Sequence, residues 1–332
     1  MPPTRQQPLS EPVEWPAWPT YGLIDDLLPT LTRWQHHYNT IALATLVDIV
    51  GSSPRPLGAE MAIAPDGRVA GYVSGGCVEG AVAAEAAEVI RDGAPRLLDY
   101  GAGSPVLDVQ LTCGGRIGIL VRRLNDLAGY VRMRADARAR RACLTLDIES
   151  ASGQAHPVPD PASAAPAAGV FRQIYAPPVR VVLVGGDPVT VAVAEAAGQL
   201  GMEAALLRPY GPSAAPPGLQ LAFYDTRPLR TALADLVLDD HCALYSLTHD
   251  IDDDEAVLQC GLASPAFRLG VLGSRRKADE RRRRLADAGA TPQELARIDM
   301  PAGLDIGAIN PREIAASIIA AVVAARPRTH PR

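Results

Sequence analysis

Apolar positions along the chain follow two regimes, and the change between them is the first structural information it carries. In the first regime, TIALATLVDIV (40–50) is a continuous apolar run of strand length and reads as a buried strand. MAIAP and RVAGYVS flank Asp66-Gly67, a dipeptide that favours the tight turn of a β-hairpin. A helix is expected from about Cys77 to Asp92, stopped by Gly93 with Pro95 beyond it. RLLDYG, VLDVQLT and RIGILVRRL then read as strands, which completes an α+β unit near residue 125. Ahead of these elements, YGLIDDLLPTLTRWQHHYN (21–39) reads as helix, broken or bent near Pro29.

From Arg180 the order becomes strand, glycine turn, helix, strand, and it repeats. RVVLV, EAALLR, CALYSL and FRLGVLGS read as strands. PVTVAVAEAAGQL, DDDEAVLQCGLA and KADERRRRLADAG read as helices. Such alternation implies a parallel sheet with helices on both faces. A last helix is expected over about 311–325, with Asn310 as N-cap, Pro311 at the first position and Glu313 at the capping-box position. Between the regimes, ASGQAHPVPDPASAAPAA (151–168) is biased to Ala, Pro and Ser and reads as a linker or exposed loop. The organisation expected is an arm (1–20), an α+β domain (21–150), an Ala/Pro-rich linker (151–177), a doubly wound α/β domain (178–326) and a tail (327–332).

Composition narrows the function classes. Aromatics are only 5% of the 332 residues, so the cores are expected to be aliphatic and alanine-rich. The net charge of −5 argues against a nucleic-acid partner, which calls for a basic face. The run Arg281-Arg282-Arg283-Arg284 reads as a solvated helix face. No apolar run reaches the ~18 residues of a membrane span, and the proline-rich N-terminus lacks the apolar core of a signal peptide. The 5 cysteines are odd in number and widely spaced, which argues for reduced thiols in the cytoplasm. The absence of CxxC spacing argues against a structural zinc site.

The candidate chemistry lies in glycine-flanked loops. In YVSGGCVEGAV (72–82), Gly75 and Gly76 precede Cys77 where a helix is expected to begin. A thiol in a first helical turn faces free N–H groups and the positive dipole end, which favour the thiolate, with Glu79 in mild opposition. LTCGGRIGIL places Cys113 before Gly114 and Gly115, with Arg116 close by. The plain alternative is that both cysteines are small packed residues beside tight turns. GSSPRPLGAEM (51–61) adds Ser52, Ser53 and Arg55, a loop able to hold an oxyanion or simply a solvated turn.

In the second regime, Gly185-Gly186-Asp187-Pro188 stands where a dinucleotide-binding turn would be. Asp187 replaces the glycine that admits the pyrophosphate, and Asp187-Pro188 instead suits an N-cap and first helical position. Arg208 stands where ribose-binding enzymes place an acid, which argues against NAD; an arginine there either accommodates the 2′-phosphate of NADP or is merely a surface charge. The rival enzyme reading is accordingly an NADP-dependent oxidoreductase with His249 as acid or base. At other strand ends, His249 and Asp250 form a pair, and Gly273, Ser274, Arg275, Arg276 and Lys277 form a basic helix start suited to anions.

Taken together, GSSPRPLGAEM, SGGCVEGAV and LTCGG resemble the first half of the xanthine dehydrogenase accessory family, XdhC/CoxI. LTHD, GVLGSRRK and PAGLDIGAINPREIAASIIAAVV resemble its Rossmann-like second half. The resemblance covers roughly residues 35–125 and 178–326. It implies a chaperone that binds molybdenum cofactor and protects it, a role that requires no turnover of a substrate. Such a chaperone assists sulfuration with a cysteine desulfurase and inserts the cofactor into an apo molybdenum hydroxylase. It would also deal with molybdenum-cofactor biosynthesis proteins, and the resemblance allows a homodimer. Cys77 and Cys113 fall on the family's two cysteine-glycine motifs, as molybdenum or sulfur contacts. The family's Gly-Ala-Gly-His turn departs here at Gly186, Asp187 and Pro188, and its Asp-Pro after the next strand is Arg208-Pro209. Thiolates are suitable soft ligands near such a metal, and a basic helix start suits the phosphate of the pterin.

Overall fold

The computed structural model describes residues 15, 17–104, 111, 114–159 and 164–329, without the side chains of Arg275 and Lys277. The chain divides into two compact units, one reaching to Ala176 and the other spanning Pro177–Arg328.

In the first unit, β1 (Ile41–Val50) lies at the middle of a five-stranded sheet with β2 (Glu60–Ile63), β3 (Val69–Gly71), β4 (Arg96–Gly101) and β5 (Arg116–Leu124), in the order β3-β2-β1-β5-β4. The apolar run of β1 serves two faces, because strand side chains alternate. Ala42, Ala44 and Leu46 join Ile117, Ile119, Val121 and the alanine-rich face of α2 (Glu79–Asp92). Ile41 and Leu43 join Leu120 and the residues of α1 (Leu28–Trp34), α3 (Leu127–Ala139) and β6 (Leu144–Glu149). β6 centres a second, three-stranded sheet with β7 (Ala155–Pro157) and β8 (Val170–Tyr175). Gly93 ends α2 with φ +78, a conformation that favours glycine.

The second unit is a parallel six-stranded sheet in the order β11-β10-β9-β12-β13-β14. Its strands are β9 (Arg180–Gly185), β10 (Glu203–Leu207), β11 (Leu221–Asp225), β12 (Cys242–Leu247), β13 (Arg268–Val271) and β14 (Ile298–Asp299). β9 splits RVVLV between two cores. Val181 and Leu183 pack with α4 (Pro188–Gln199) and α9 (Pro311–Ala325). Val182 and Val184 pack with α5 (Leu229–Ala234), α6 (Ile251–Leu262) and α7 (Arg275–Asp287). Coverage on both faces is what a parallel sheet of continuous apolar strands requires. A short α8 (Pro292–Leu295) precedes β14. The α/β class and the doubly wound second unit agree with the sequence reading. That reading does not assign β11 and α5.

Several local expectations are corrected. Pro29 does not bend a helix: a 3-10 turn covers Thr20–Leu23, and Pro29 sits in the first turn of α1, where its missing N–H costs nothing. Trp15, within the expected arm, is partly buried and tilted against Tyr21 at 5.2 Å. The stretch 151–177 is not a plain linker, because β7 and β8 lie in it and pair with β6. Its proline-rich composition conceals both a hairpin strand, β7, and β8, whose partner is more than twenty residues away. Apart from Leu111, the strand expected at VLDVQLT lies outside the described residues. Asn310 does cap α9, but the Glu313 carboxylate accepts the amide of Ile309, one residue ahead of the capping-box position.

Candidate functional site

The Cys77 loop is built around a carboxylate. α2 begins at Glu79, with Val78 as N-cap, so Cys77 precedes the helix and is not in its first turn. The anion expected at this helix start is supplied by the chain itself. Glu79 is 2% exposed, and its Oε1 accepts the amides of Val73 at 3.1 Å and Ser74 at 2.8 Å. Its Oε2 accepts the Ser74 hydroxyl at 2.7 Å and the amides of Gly76 at 2.8 Å and Val78 at 3.3 Å. Ser74 Oγ in turn accepts the amides of Cys77 and Val78. Glu79 is thus the organiser of the loop. Its signal in the sequence was its position in the first turn of the predicted helix, just after a serine-glycine loop. The thiol of Cys77 is exposed.

The two glycines differ in what they permit. Both have positive φ, +84 at Gly75 and +106 at Gly76. A Cβ on Gly75 would press on Pro54 Cγ at 3.2 Å, whereas one on Gly76 would meet nothing within 4 Å among the described residues. Pro54 belongs to the loop that also carries Ser52, whose carbonyl would collide with a Cβ on Gly115. The 51–55 loop therefore touches both cysteine-glycine motifs, at Gly75 and at Gly115. Cys113 itself lies outside the described residues. Gly114, with φ +71, turns the chain into β5. Arg116 is held bidentately by Asp99, which fixes the Asp99 carboxyl below its ordinary range.

Arg55 is drawn into the same neighbourhood. Its Nη1 lies 2.7 Å from Asp25, and its guanidinium stacks over Tyr72 at 4.3 Å. Tyr72 is also a neighbour of Gly75. Arg55 Nε is buried with no hydrogen-bond partner among the described residues. Ser53 is occupied in closing the turn, accepting the Arg55 amide and donating to the Arg55 carbonyl.

In the second unit a cleft of about 680 Å³ opens at the C-terminal ends of β9 and β12, where the sheet order reverses and open α/β sheets take ligands. Gly185, Gly186, Asp187, Arg208 and His249 line it, together with Tyr210 and Arg230, which sequence reasoning missed. Asp187 Oδ1 accepts the amide of Thr190 at 2.8 Å and caps α4, while His249 Nε2 lies 3.1 Å from Oδ2. Burial works to raise the Asp187 carboxyl, but Thr190 and His249 hold it below the ordinary carboxylate range. A Cβ on Gly186 would collide with the Arg208 guanidinium, so this side chain lies directly over the glycine turn. The backbone approach that a pyrophosphate needs is taken by the protein itself.

The other residues of the distal loops separate in role. Asp250 caps α6, accepting the amides of Asp252 and Asp253. α7 starts at Arg275, and neither Ser274 nor Arg276 is among the described residues that line the cleft. Within the arginine run, Arg281 is 5% exposed and pairs with fully buried Asp254. Only Arg282, Arg283 and Arg284 keep the expected solvated face. Asp254 also accepts the hydroxyls of Ser246 at 2.6 Å and Thr248 at 3.0 Å, which anchors the loop carrying His249. His249 is held at φ +66.

Residues 34–101 match the XdhC and CoxI family, and residues 181–322 match the XdhC Rossmann domain. The chain belongs to the XdhC and CoxI family. It is 30% identical over 284 residues to the molybdenum cofactor insertion chaperone PaoD of Escherichia coli (strain K12), covering 86% of this chain and 83% of that protein. It is 26% identical over 322 residues to a protein of Bacillus subtilis (strain 168) described as a probable xanthine dehydrogenase component, covering 86% of this chain and 93% of that one. A crystal structure of a xanthine dehydrogenase from Bacillus halodurans shares the fold with a TM-score of 0.75. At 22% identity it covers 92% of this chain and 98% of that one. Among the described residues, no helix is long and apolar enough to cross a membrane.

Proposed function

We propose that this chain is a molybdenum-cofactor chaperone, which holds the cofactor and inserts it into an apo hydroxylase of the xanthine dehydrogenase or aldehyde oxidase type. The observation that carries the reading is the Cys77 loop, in which a buried Glu79 fixes the backbone at Gly76, just before the exposed Cys77. A sulfur donor of this kind suits a soft, sulfur-ligated metal. Arg55, with its buried unpartnered Nε, supplies cationic character in the adjoining loop for an oxyanionic group. Cys113, next to Gly114 and Gly115, would be the second sulfur, and Ser274, Arg275 and Arg276 a phosphate-binding helix start. The cofactor is cargo in this reading, so no substrate turnover is required. Sulfuration with a cysteine desulfurase, receipt of the cofactor from its biosynthesis proteins, homodimer formation and a cytoplasmic setting complete the proposal.

The test is anaerobic loading of the purified chain with molybdenum cofactor, followed by gel filtration and by transfer to a cofactor-free hydroxylase. The wild type is expected to retain pterin and molybdenum together and to restore hydroxylase activity. Cys77→Ser and Cys113→Ser are expected to lower retention at least tenfold with unchanged circular dichroism. Equal retention in both variants would remove the cysteines from the proposal. Turnover of NADPH by the purified chain would favour the oxidoreductase reading instead.

A further inference from the structure

β9 and β10 run parallel with Val184 opposite Leu207, so Arg208 leaves the sheet beside the Gly185-Gly186 turn. Its side chain passes between two glycines. A Cβ on Gly211 would lie 2.6 Å from its Cδ, and one on Gly186 would lie 2.4 Å from its Nε. A side chain at either position would displace it, so the two glycines set where the guanidinium lies. That place is the one a pyrophosphate would use to approach the turn, and the dinucleotide common to this fold does not fit here.

Arg208 lines the cleft and is half-buried. Arg180, Arg268, Arg281 and Arg297, the other arginines of this unit described as not exposed, each meet an acceptor within the protein. Arg180 pairs with Glu203, Arg268 with Asp299 and Arg281 with Asp254, while Arg297 donates to the carbonyls of Ser264 and Ala266. The Arg208 side chain has no hydrogen bond or ion pair among the described residues. None of its nitrogens is sealed from solvent, so its donors stay within reach of a ligand. The two acids of the lining are already matched. Asp187 is engaged by Thr190 and His249, and Asp253 has Arg230 as its nearby cation. Arg208 is thus the uncompensated charge of this lining, and a guanidinium is suited to gripping one phosphate or carboxylate.

Tyr210, two residues on, lines the same cleft and is 83% exposed. Its amide donates to the Thr226 carbonyl, and the Gly211 amide donates back to the Arg208 carbonyl. These bonds hold Tyr210 at φ +57, a conformation uncommon for a residue with a side chain. One tight turn therefore presents a cation and an aromatic ring together, and a planar ring of a ligand stacks on such a side chain. The volume of about 680 Å³ falls within the range of about 300–1,000 Å³ common to small-molecule sites.

We propose that this cleft binds a phosphate monoester with a planar aromatic body, of the size of a nucleoside monophosphate, anchored by Arg208 and stacked on Tyr210. The proposal stands apart from the cysteine loop, which lies in the other unit. The test is calorimetric titration of the full chain with AMP, adenosine, ribose 5-phosphate and NADPH. AMP is expected to bind saturably, and each of the other three at least tenfold more weakly. Arg208→Gln leaves no buried partner behind and is expected to weaken AMP binding at least tenfold with unchanged circular dichroism. Gly186→Ala keeps the arginine but displaces it, and is expected to weaken AMP binding at least threefold. Tyr210→Gly is expected to weaken AMP binding at least threefold and to leave ribose 5-phosphate binding unchanged. Arg282→Ala, on the solvated face of α7, is the control and is expected to change neither. Absence of saturable AMP binding, NADPH binding as tightly as AMP, or an unmoved AMP affinity in the Arg208, Gly186 or Tyr210 variant overturns the proposal.

Discussion

The Ser74 hydroxyl donates to Glu79 Oε2 at 2.7 Å while its own oxygen accepts the amides of Cys77 and Val78. The pair converts a glycine-rich loop into a fixed platform for the thiol. Hydrogen bonds to a charged acceptor contribute more than neutral ones, up to about 3 kcal/mol each, and a buried donor left without a partner costs a similar amount. Glu79→Gln keeps the shape but offers one acceptor oxygen in place of two. We expect it to lower the stability of the first unit by about 2 kcal/mol. All 3 tryptophans, Trp15, Trp18 and Trp34, lie in that unit, so urea unfolding followed by tryptophan fluorescence reports it directly.

Asp187 and His249 join the loops after β9 and β12, but they serve stability unequally. His249 is 63% exposed, so its side of the pair is screened and worth little. The N-cap bond to Thr190 is the larger contribution, and Asp187→Ala is expected to cost about 1 kcal/mol while His249→Ala costs less than about 0.5 kcal/mol. The depressed Asp187 carboxyl contributes stability that is fully present above its unfolded value near about 4 and lost as pH falls through its lower native value. Asp187→Asn keeps the cap and removes this acid-side slope. Calorimetry between about pH 5 and about pH 3 measures the difference, and parallel slopes in the two proteins would count against it.

Glu60 behaves in the opposite sense. Burial pushes its carboxyl above the ordinary range, against the opposing pull of Arg134 and the Tyr175 hydroxyl. The native state therefore prefers the protonated form. Stability from this group is fullest below the ordinary glutamate value of about 4.3 and declines as pH rises through the raised native value. Glu60→Gln is expected to flatten that decline in tryptophan-monitored unfolding. Arg134 is 8% exposed and stacks over Tyr175 at 4.0 Å. Arg134→Ala removes the larger of the two cationic influences on Glu60, Arg122 being the other, and is expected to raise the Glu60 carboxyl further and to cost about 3 kcal/mol.

Arg281 and Asp254 make the loop of His249 depend on α7. Arg281→Ala leaves a fully buried carboxylate unpaired and is expected to cost about 3–5 kcal/mol. Hydrogen exchange at residues 247–250 should accelerate in the same variant. Arg282→Ala, one position along on the solvated face, is expected to stay within about 0.5 kcal/mol. Equal effects of the two substitutions would show that burial does not separate them.

What was legible in the chain follows from local rules. RVVLV, CALYSL and the alanine-rich helices announced themselves because apolar periodicity is a property of neighbours in sequence. Asp187-Pro188 and Asn310-Pro311 were readable as caps because a cap is made by residues a few positions apart. β8 was not readable, since its Val170–Tyr175 run is held by β6, more than twenty residues earlier. Arg281 was indistinguishable from Arg282 in a run of four arginines. Only the helix phase against β12 and α6 turns one of them inward.

The chain's local pattern was sufficient for an α+β unit followed by a doubly wound sheet, for the cysteine-glycine loops and for the family. These depend on residue type and spacing, which a linear reading retains. Tertiary structure alone decided that Glu79 occupies the anion position at the start of α2, that Arg208 covers the glycine turn, and that Arg281 turns inward onto Asp254. Each of those outcomes depends on which charged group reaches a buried partner, and that is set by packing in three dimensions.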